Sequence, residues 1–260
     1  MSVAERQGAI RSNHLFHFPL ADGGWTDLPG GLGDPIVNIS FGRGAGLGPP
    51  LAPGITNLQY VTNPCPSDGE YTLVSRTSGC HRNTWMTVNH DHTGDNSGYF
   101  MLINASFKPS DFYVQTISGL CGGTSYQFAA WLMNVGYLVL QIRPNVTFRI
   151  EKTDGTILQS FNTGDIAIGA IWRQYAFYFD TPPGVESVVI RMINNAQGGP
   201  GNDLALDDIS FRAAGPLVTA AVAGYNTRNV SICDGAVSVL HLTSAIENNC
   251  YPSVVYQVAD

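Results

Sequence analysis

The chain has 260 residues, a formal net charge of −7 and only 13% charged residues, with 29 glycines among its turn-forming positions. That balance excludes nucleic acid as a partner, because phosphate contacts need clustered basic side chains and the two lysines, Lys108 and Lys152, stand apart among scattered arginines. No stretch approaches the roughly 18 consecutive apolar residues of a membrane-spanning helix, and "MSVAERQGAIRSNHLF" lacks a charged region followed by an apolar one, so an export signal is either absent or has been removed.

Residues 1–33, with Phe16, Phe18, Leu20, Trp25 and Leu28, read as an extended arm. From residue 34 the chain alternates β-patterned runs with turn signals. The runs are "PIVNISFG", "EYTLVS", "WMTVNH", "GYFMLINAS", "DFYVQTI", "SYQFAAWLMNV", "NVTFRIEK", "ILQSFNTG", "WRQYAFYFD", "SVVIRMINN" and "LALDDISF". Asp154-Gly155 predicts a two-residue hairpin turn, and Pro182-Pro183 ends a strand. Many short strands without an amphipathic helix predict an all-β chain, an antiparallel jelly-roll β-sandwich over 34–215.

After Pro216, the runs "LVTAAVAG", "VSVLHLTS" and "SVVYQVA" over 216–260 begin a second pattern. An Ig-like sandwich takes about seven strands and about 100 residues, so this is expected to be a small, incomplete Ig-like β segment. Either the chain is a fragment, or a neighbouring copy supplies the missing strands. In the second case the N-terminal arm is the natural donor, and a head-to-tail contact that does not close builds a filament.

The five cysteines form no CxxC zinc pattern. Local pairs are expected, Cys65 with Cys80 and Cys233 with Cys250, which leaves Cys121 unpaired. Such disulfides, on a chain poor in charge, fit the outside of a cell; the alternative is five reduced thiols in a cytosolic protein.

Within "GNDLALDDISF", Asp207 and Asp208 stand side by side among residues that favour burial. An uncompensated buried carboxylate costs several kcal/mol, so a cation, a set of backbone N–H groups or a catalytic role must account for them. Catalysis has little support: there is no G-x-S-x-G, H-E-x-x-H or P-loop. A glycosidase needs two facing carboxylates, and Glu151 and Glu186 both read as exposed residues at strand tips. The "HDH" of residues 90–92 places His90 and His92 on one face by alternation. With His81 the sole third candidate, hydrogen-bonded structural roles are favoured over zinc. For a binding role, Trp85 and Tyr137 are the surface candidates on which a ligand ring could stack, whereas Trp131 reads as core.

The succession "GDPIVNISFGRGAGLGPPL", "DHTGDNSGYFMLINASF", "DFYVQTISGLCGGTSYQFAAWLMNV", "WRQYAFYFDTPPGV" and "NNAQGGPGNDLALDDISF" resembles a domain repeated in large cell-surface proteins of Bacteroidetes. Those proteins often end in a gliding-motility-associated C-terminal domain. "DHTG…GYF" with "LALDDISF" more loosely resembles MAM domains and galactose-binding-like jelly-roll modules, and "VSICDGAVSVLHLTS" is similar to the first strands of Ig-like or PKD-like modules. The resemblance implies a structural calcium at the edge of the sandwich, with Asp91 and Asp207 or Asp208 at its centre and Asp95 and Asn202 beside them. Hard oxygen ligands of that kind suit calcium.

The expected function is a non-enzymatic extracellular surface or adhesin module, or a fibre-forming subunit, whose partners are neighbouring domains or copies of itself. The alternative is a carbohydrate-binding module that targets polysaccharide.

Overall fold

The β-patterned runs become strands because their apolar residues recur at every second position and find two faces to bury. A computed structural model describes residues 32–137 and 141–214, together with the backbone of 217–222 and 240–245. The expected arm (1–33) therefore falls almost wholly outside the described residues, as do the last run of the C-terminal segment and both Cys233 and Cys250.

One sheet contains β2 (Gln59–Tyr60), β3 (Glu70–Val74), β4 (Phe100–Asn104), β11 (Asp203–Ala214), β6 (Ser125–Asn134) and β9 (Arg173–Asp180), in that spatial order. Strand β1 (Leu32–Ile39) also pairs with β11. The second sheet has the order β5 (Ser110–Ser118), β10 (Ser187–Asn194), β7 (Asn145–Lys152) and β8 (Ile157–Asp165). From β4 to β7 each strand crosses to the opposite sheet, as do β9, β10 and β11, so the chain winds as the expected antiparallel jelly-roll sandwich. Among the described strand pairs the short β2–β3 contact is parallel, as are the single bridges Asn134 to Ile168 and Ile142 to Gly201. A hairpin joins β7 to β8 at Asp154-Gly155 as predicted, but through a three-residue loop instead of two: the Lys152 N–H donates to the Thr156 carbonyl and the Gly155 N–H to the Lys152 carbonyl, with Gly155 at φ +86°.

Between the sheets, Phe128 lies 5.1 Å from Phe148, 5.0 Å from Phe177 and 5.6 Å from Phe211, centroid to centroid. Strand alternation sends Tyr126, Phe128, Ala130 and Leu132 of β6 into this core, with Leu204, Leu206, Ile209 and Phe211 of β11. The other face of the first sheet is half covered by a second core. There Val74, Phe100, Leu102, Met133 and Ala205 meet Cys80, Trp85 and Val88.

Those last three belong to a flap, residues 75–98, where the structure departs from the expectation that "WMTVNH" forms a strand. The flap contains a 3-10 turn at Cys80–Asn83 and single bridges, Thr77 to Val88 and Trp85 to Gly136. Its apolar residues are spent on covering a sheet face, so they need no regular ladder. Cys65 and Cys80 are joined as expected, Cα to Cα 5.3 Å, and tie the flap to the loop before β3. Cys121, expected to be unpaired, is disulfide-bonded.

Residues 217–222 and 240–245 belong to a separate unit. They form an antiparallel ribbon of β12 (Leu217–Val222) and β13 (Leu240–Ala245), two of the three runs expected there.

Candidate functional site

Strand β11 has two partners along a single edge. β4 pairs with Asp203–Leu206 and β1 with Ile209–Ala214, and the gap between them falls at Asp207 and Asp208. On the opposite edge, Asp207 faces Trp131 while Ile209 faces Ala130, so Asp208 is the extra residue of a β-bulge, at φ +24°. Without the bulge, consecutive carboxylates would point to opposite faces. With it, both reach one imidazole: His92 Nδ1 lies 3.2 Å from Asp207 Oδ2 and 3.3 Å from Asp208 Oδ2.

Backbone groups hold the arrangement. The His92 N–H donates to Asp207 Oδ2 (2.9 Å) and the Asp208 N–H to Asp207 Oδ1 (2.9 Å). The His92 ring stacks on Trp131 at 4.6 Å and 23°. Asp207 is only 2% exposed. Burial by itself would lower the His92 imidazole, but the Asp207 hydrogen bond and the charges of Asp207, Asp208 and Asp91 hold it above its ordinary value. Burial, reinforced by the Asp207 charge, pushes the Asp208 carboxyl up to about 6.

The five residues expected to hold calcium are thus partly brought together. Asp91 adjoins the Asp207–Asp208 pair, but its Oδ1 is taken by the Thr93 N–H and hydroxyl and by the Asp95 N–H. Asp95 accepts from the Ser97 N–H and pairs with Arg43 at 3.3 Å. Asn202 is elsewhere, accepting from Asn194 and donating to the carbonyls of Ala196 and Gln197. Calcium asks for six to eight hard oxygens, whereas here an imidazole nitrogen sits between two carboxylates, and Asp95 and Asn202 are held by other partners. The donor set does not fit calcium.

The three histidines also separate. His81 lies against Trp85 at 4.6 Å and reaches the Pro66 carbonyl, and His90 Nδ1 turns to the Asp91 carbonyl. Only His92 joins a cluster.

Of the two aromatic candidates, Trp85 is 3% exposed in the second core, and its indole N–H donates to Asp203 Oδ2 at 2.7 Å. It is a packing residue, not a platform. Tyr137, beside it in the chain pairing, is 43% exposed. Trp131, expected in the core, stands on the outer face of the first sheet. Glu151 is buried, not an exposed tip: it accepts from Arg191 Nε at 3.2 and 3.3 Å, and Asp111 binds the same guanidinium.

On that outer face run three cross-strand rows, the first of them covered in part by His92 of the flap. Asp207, Trp131 and Gln174 form one row, and Arg212, Gln127 and Tyr178 another. Between them run Asn38, Ser210, Ala129 and Ala176. The middle row is short-chained, and the rows on either side of it bear an indole, a phenol, amides, a guanidinium and a carboxylate. Gln127 donates to the Tyr178 hydroxyl at 3.3 Å, and Tyr178 and Arg212 make further contacts. Crossing four strands at about 4.8 Å spacing, the middle row is roughly 14 Å long.

No family model matches the chain, and no curated protein matches it. Among solved structures it is similar to an apo-form cyclase from Fischerella sp., with 15% identity, 76% of this chain and 96% of that chain covered, and a TM-score of 0.42. A carbohydrate-binding module, TmCBM61 in complex with β-1,4-galactotriose, matches at 12% identity over 54% of this chain and 80% of that chain, TM-score 0.34. The enzymatically active domain of tailspike protein 4 of bacteriophage CBA120 matches at 16% identity over 61% of this chain, TM-score 0.37, and the match spans only 18% of that tailspike chain. These are likenesses of shape at low superposition and carry no assignment of function.

Proposed function

We propose that residues 32–214 form a non-catalytic polysaccharide-recognition module of an exported protein, which binds a glycan chain across the outer face of the first sheet. The Trp131 and Tyr178 rows, set on either side of the short-chained middle row, carry this reading. Sugar rings present apolar C–H faces that stack on aromatic rings, and hydroxyls that pair with amides, guanidinium and carboxylate. A row of about 14 Å suits a run of sugar units better than a single terminal one. The Cys65–Cys80 disulfide supports an oxidising compartment, and no helix among the described residues is long and apolar enough to cross a membrane. Glycan recognition also suits a surface adhesin, whose neighbouring domains or copies would attach through the strands after Pro216.

A glycan array followed by titration with soluble polysaccharides tests this. We expect saturable binding, weakened about 10-fold or more by Trp131→Ala and by Tyr178→Ala with an unchanged circular dichroism spectrum, since about 1.4 kcal/mol of lost stacking is tenfold in affinity. Tyr137→Ala serves as the control, with binding retained. Silence of the intact chain across the array overturns the proposal.

A further inference from the structure

The misfit with calcium has its own content. We propose that His92, Asp207 and Asp208 form a binding site for a borderline divalent transition ion of the zinc class, a site that adjoins the proposed glycan face at Trp131 but is argued without it. One oxygen from each carboxylate and one imidazole nitrogen lie within 4.8 Å of one another. The separations from Nδ1 to the two oxygens are 3.2 and 3.3 Å. Zinc bonds of about 2.0–2.2 Å in a tetrahedron place its ligands about 3.3–3.6 Å apart, close to the two nitrogen–oxygen separations here. Mixed imidazole and carboxylate donors suit zinc and its neighbours, where all-oxygen sets suit calcium.

Charge leads to the same conclusion by a separate route. Even a protonated His92 supplies one positive charge against Asp207 and Asp208, with Asp91 adjacent and Asp207 almost wholly buried. A divalent ion bound to the neutral imidazole brings the two ligating carboxylates to neutrality, and the Nδ1 proton leaves to solvent. The surroundings also fix each ligand. The Trp131 ring sets the imidazole plane, the N–H groups of His92 and Asp208 orient the Asp207 carboxylate, and the bulge turns Asp208 to the same side. Outer-shell partners of this kind are what hold metal ligands in place. Trp131, stacked on a ligand, links the site to a fluorescence readout.

The full chain, stripped with a chelator, is titrated with Co²⁺ and then Zn²⁺, with Ca²⁺ in parallel. We expect one equivalent of Co²⁺ to give the visible absorption of a four- or five-coordinate ion, Zn²⁺ to displace it, and indole fluorescence to change at the same stoichiometry. His92→Gln and Asp208→Asn should each weaken binding by about 100-fold, while His90→Gln leaves it in place. Asp208→Asn preserves shape, and its melting curve confirms that it is folded. Absence of one-equivalent binding, binding untouched by both substitutions, or Ca²⁺ displacing Zn²⁺ would each overturn the site.

Discussion

Raising the pH from 5 to 8 is expected to destabilise the sandwich, and Asp203→Asn to remove much of that loss. Asp203 opens β11 beneath the flap, 5% exposed, with its Oδ2 accepting the Trp85 indole N–H. Burial, opposed in part by that hydrogen bond and aided by the Asp68 charge, pushes its carboxyl up to about 8. An unfolded aspartate titrates near about 3.9. Between these values the folded chain holds a proton that the unfolded chain has released, so stability falls as pH rises towards 8 and levels off beyond it. Each pH unit in that window costs at most about 1.4 kcal/mol, which makes the loss several kcal/mol in all.

Asparagine is nearly isosteric and still accepts the indole N–H, but has no proton to lose. Denaturant melts of wild type and Asp203→Asn at pH 5 and 8.5, both with chelator present, should therefore differ by about 1.5 kcal/mol at the lower pH and by several kcal/mol at the higher, the variant being the more stable. A gap of equal size at both values would show that the carboxyl is not titrating as its burial requires.

Replacing both Cys65 and Cys80 by serine is expected to cost about 3 kcal/mol, the chain-entropy value for a closed loop of about 15 residues. In a domain of this size that is on the order of 10 °C in melting temperature. The effect is local in origin. Cys80 opens a turn in which His81, Arg82 and Asn83 all have positive φ, a run that isolated residues of these types avoid. The disulfide, the His81–Trp85 ring contact and the second core together hold that turn against β3 and β4. Amide hydrogen exchange should accordingly speed up across residues 75–98 before it does in β6 or β11. Variants are preferable to reductant, because Cys121 is also disulfide-bonded. A double variant with wild-type melting and an unchanged flap would show that packing alone secures this segment.

Much of the fold is legible along the chain. β-Branched and aromatic runs, the Asp154-Gly155 turn, the prolines after β9 and the spacing of Cys65 and Cys80 are local signals, and local geometry decides them: a period of two, a positive φ, a short closed loop. What the chain could not show is which face of a strand meets which partner. "YQFAAWLMN" is apolar at both phases of its alternation, so Trp131 looked like core and Trp85 like surface. The tertiary structure reverses them, because the flap buries Trp85 in the second core, while Trp131 stands on the outer sheet face with His92 of the same flap stacked on it.

The site divides in the same way. The sequence placed two carboxylates side by side at residues 207 and 208, and the question of what compensates them, with no structure at all. Their common orientation depends on a bulge in the β11–β6 ladder, opposite the gap between β4 and β1 on the other edge of β11, and His92 arrives from 115 residues away in sequence. Register and long-range loop placement arise from the packing of the whole sandwich, and no window along the chain contains that information.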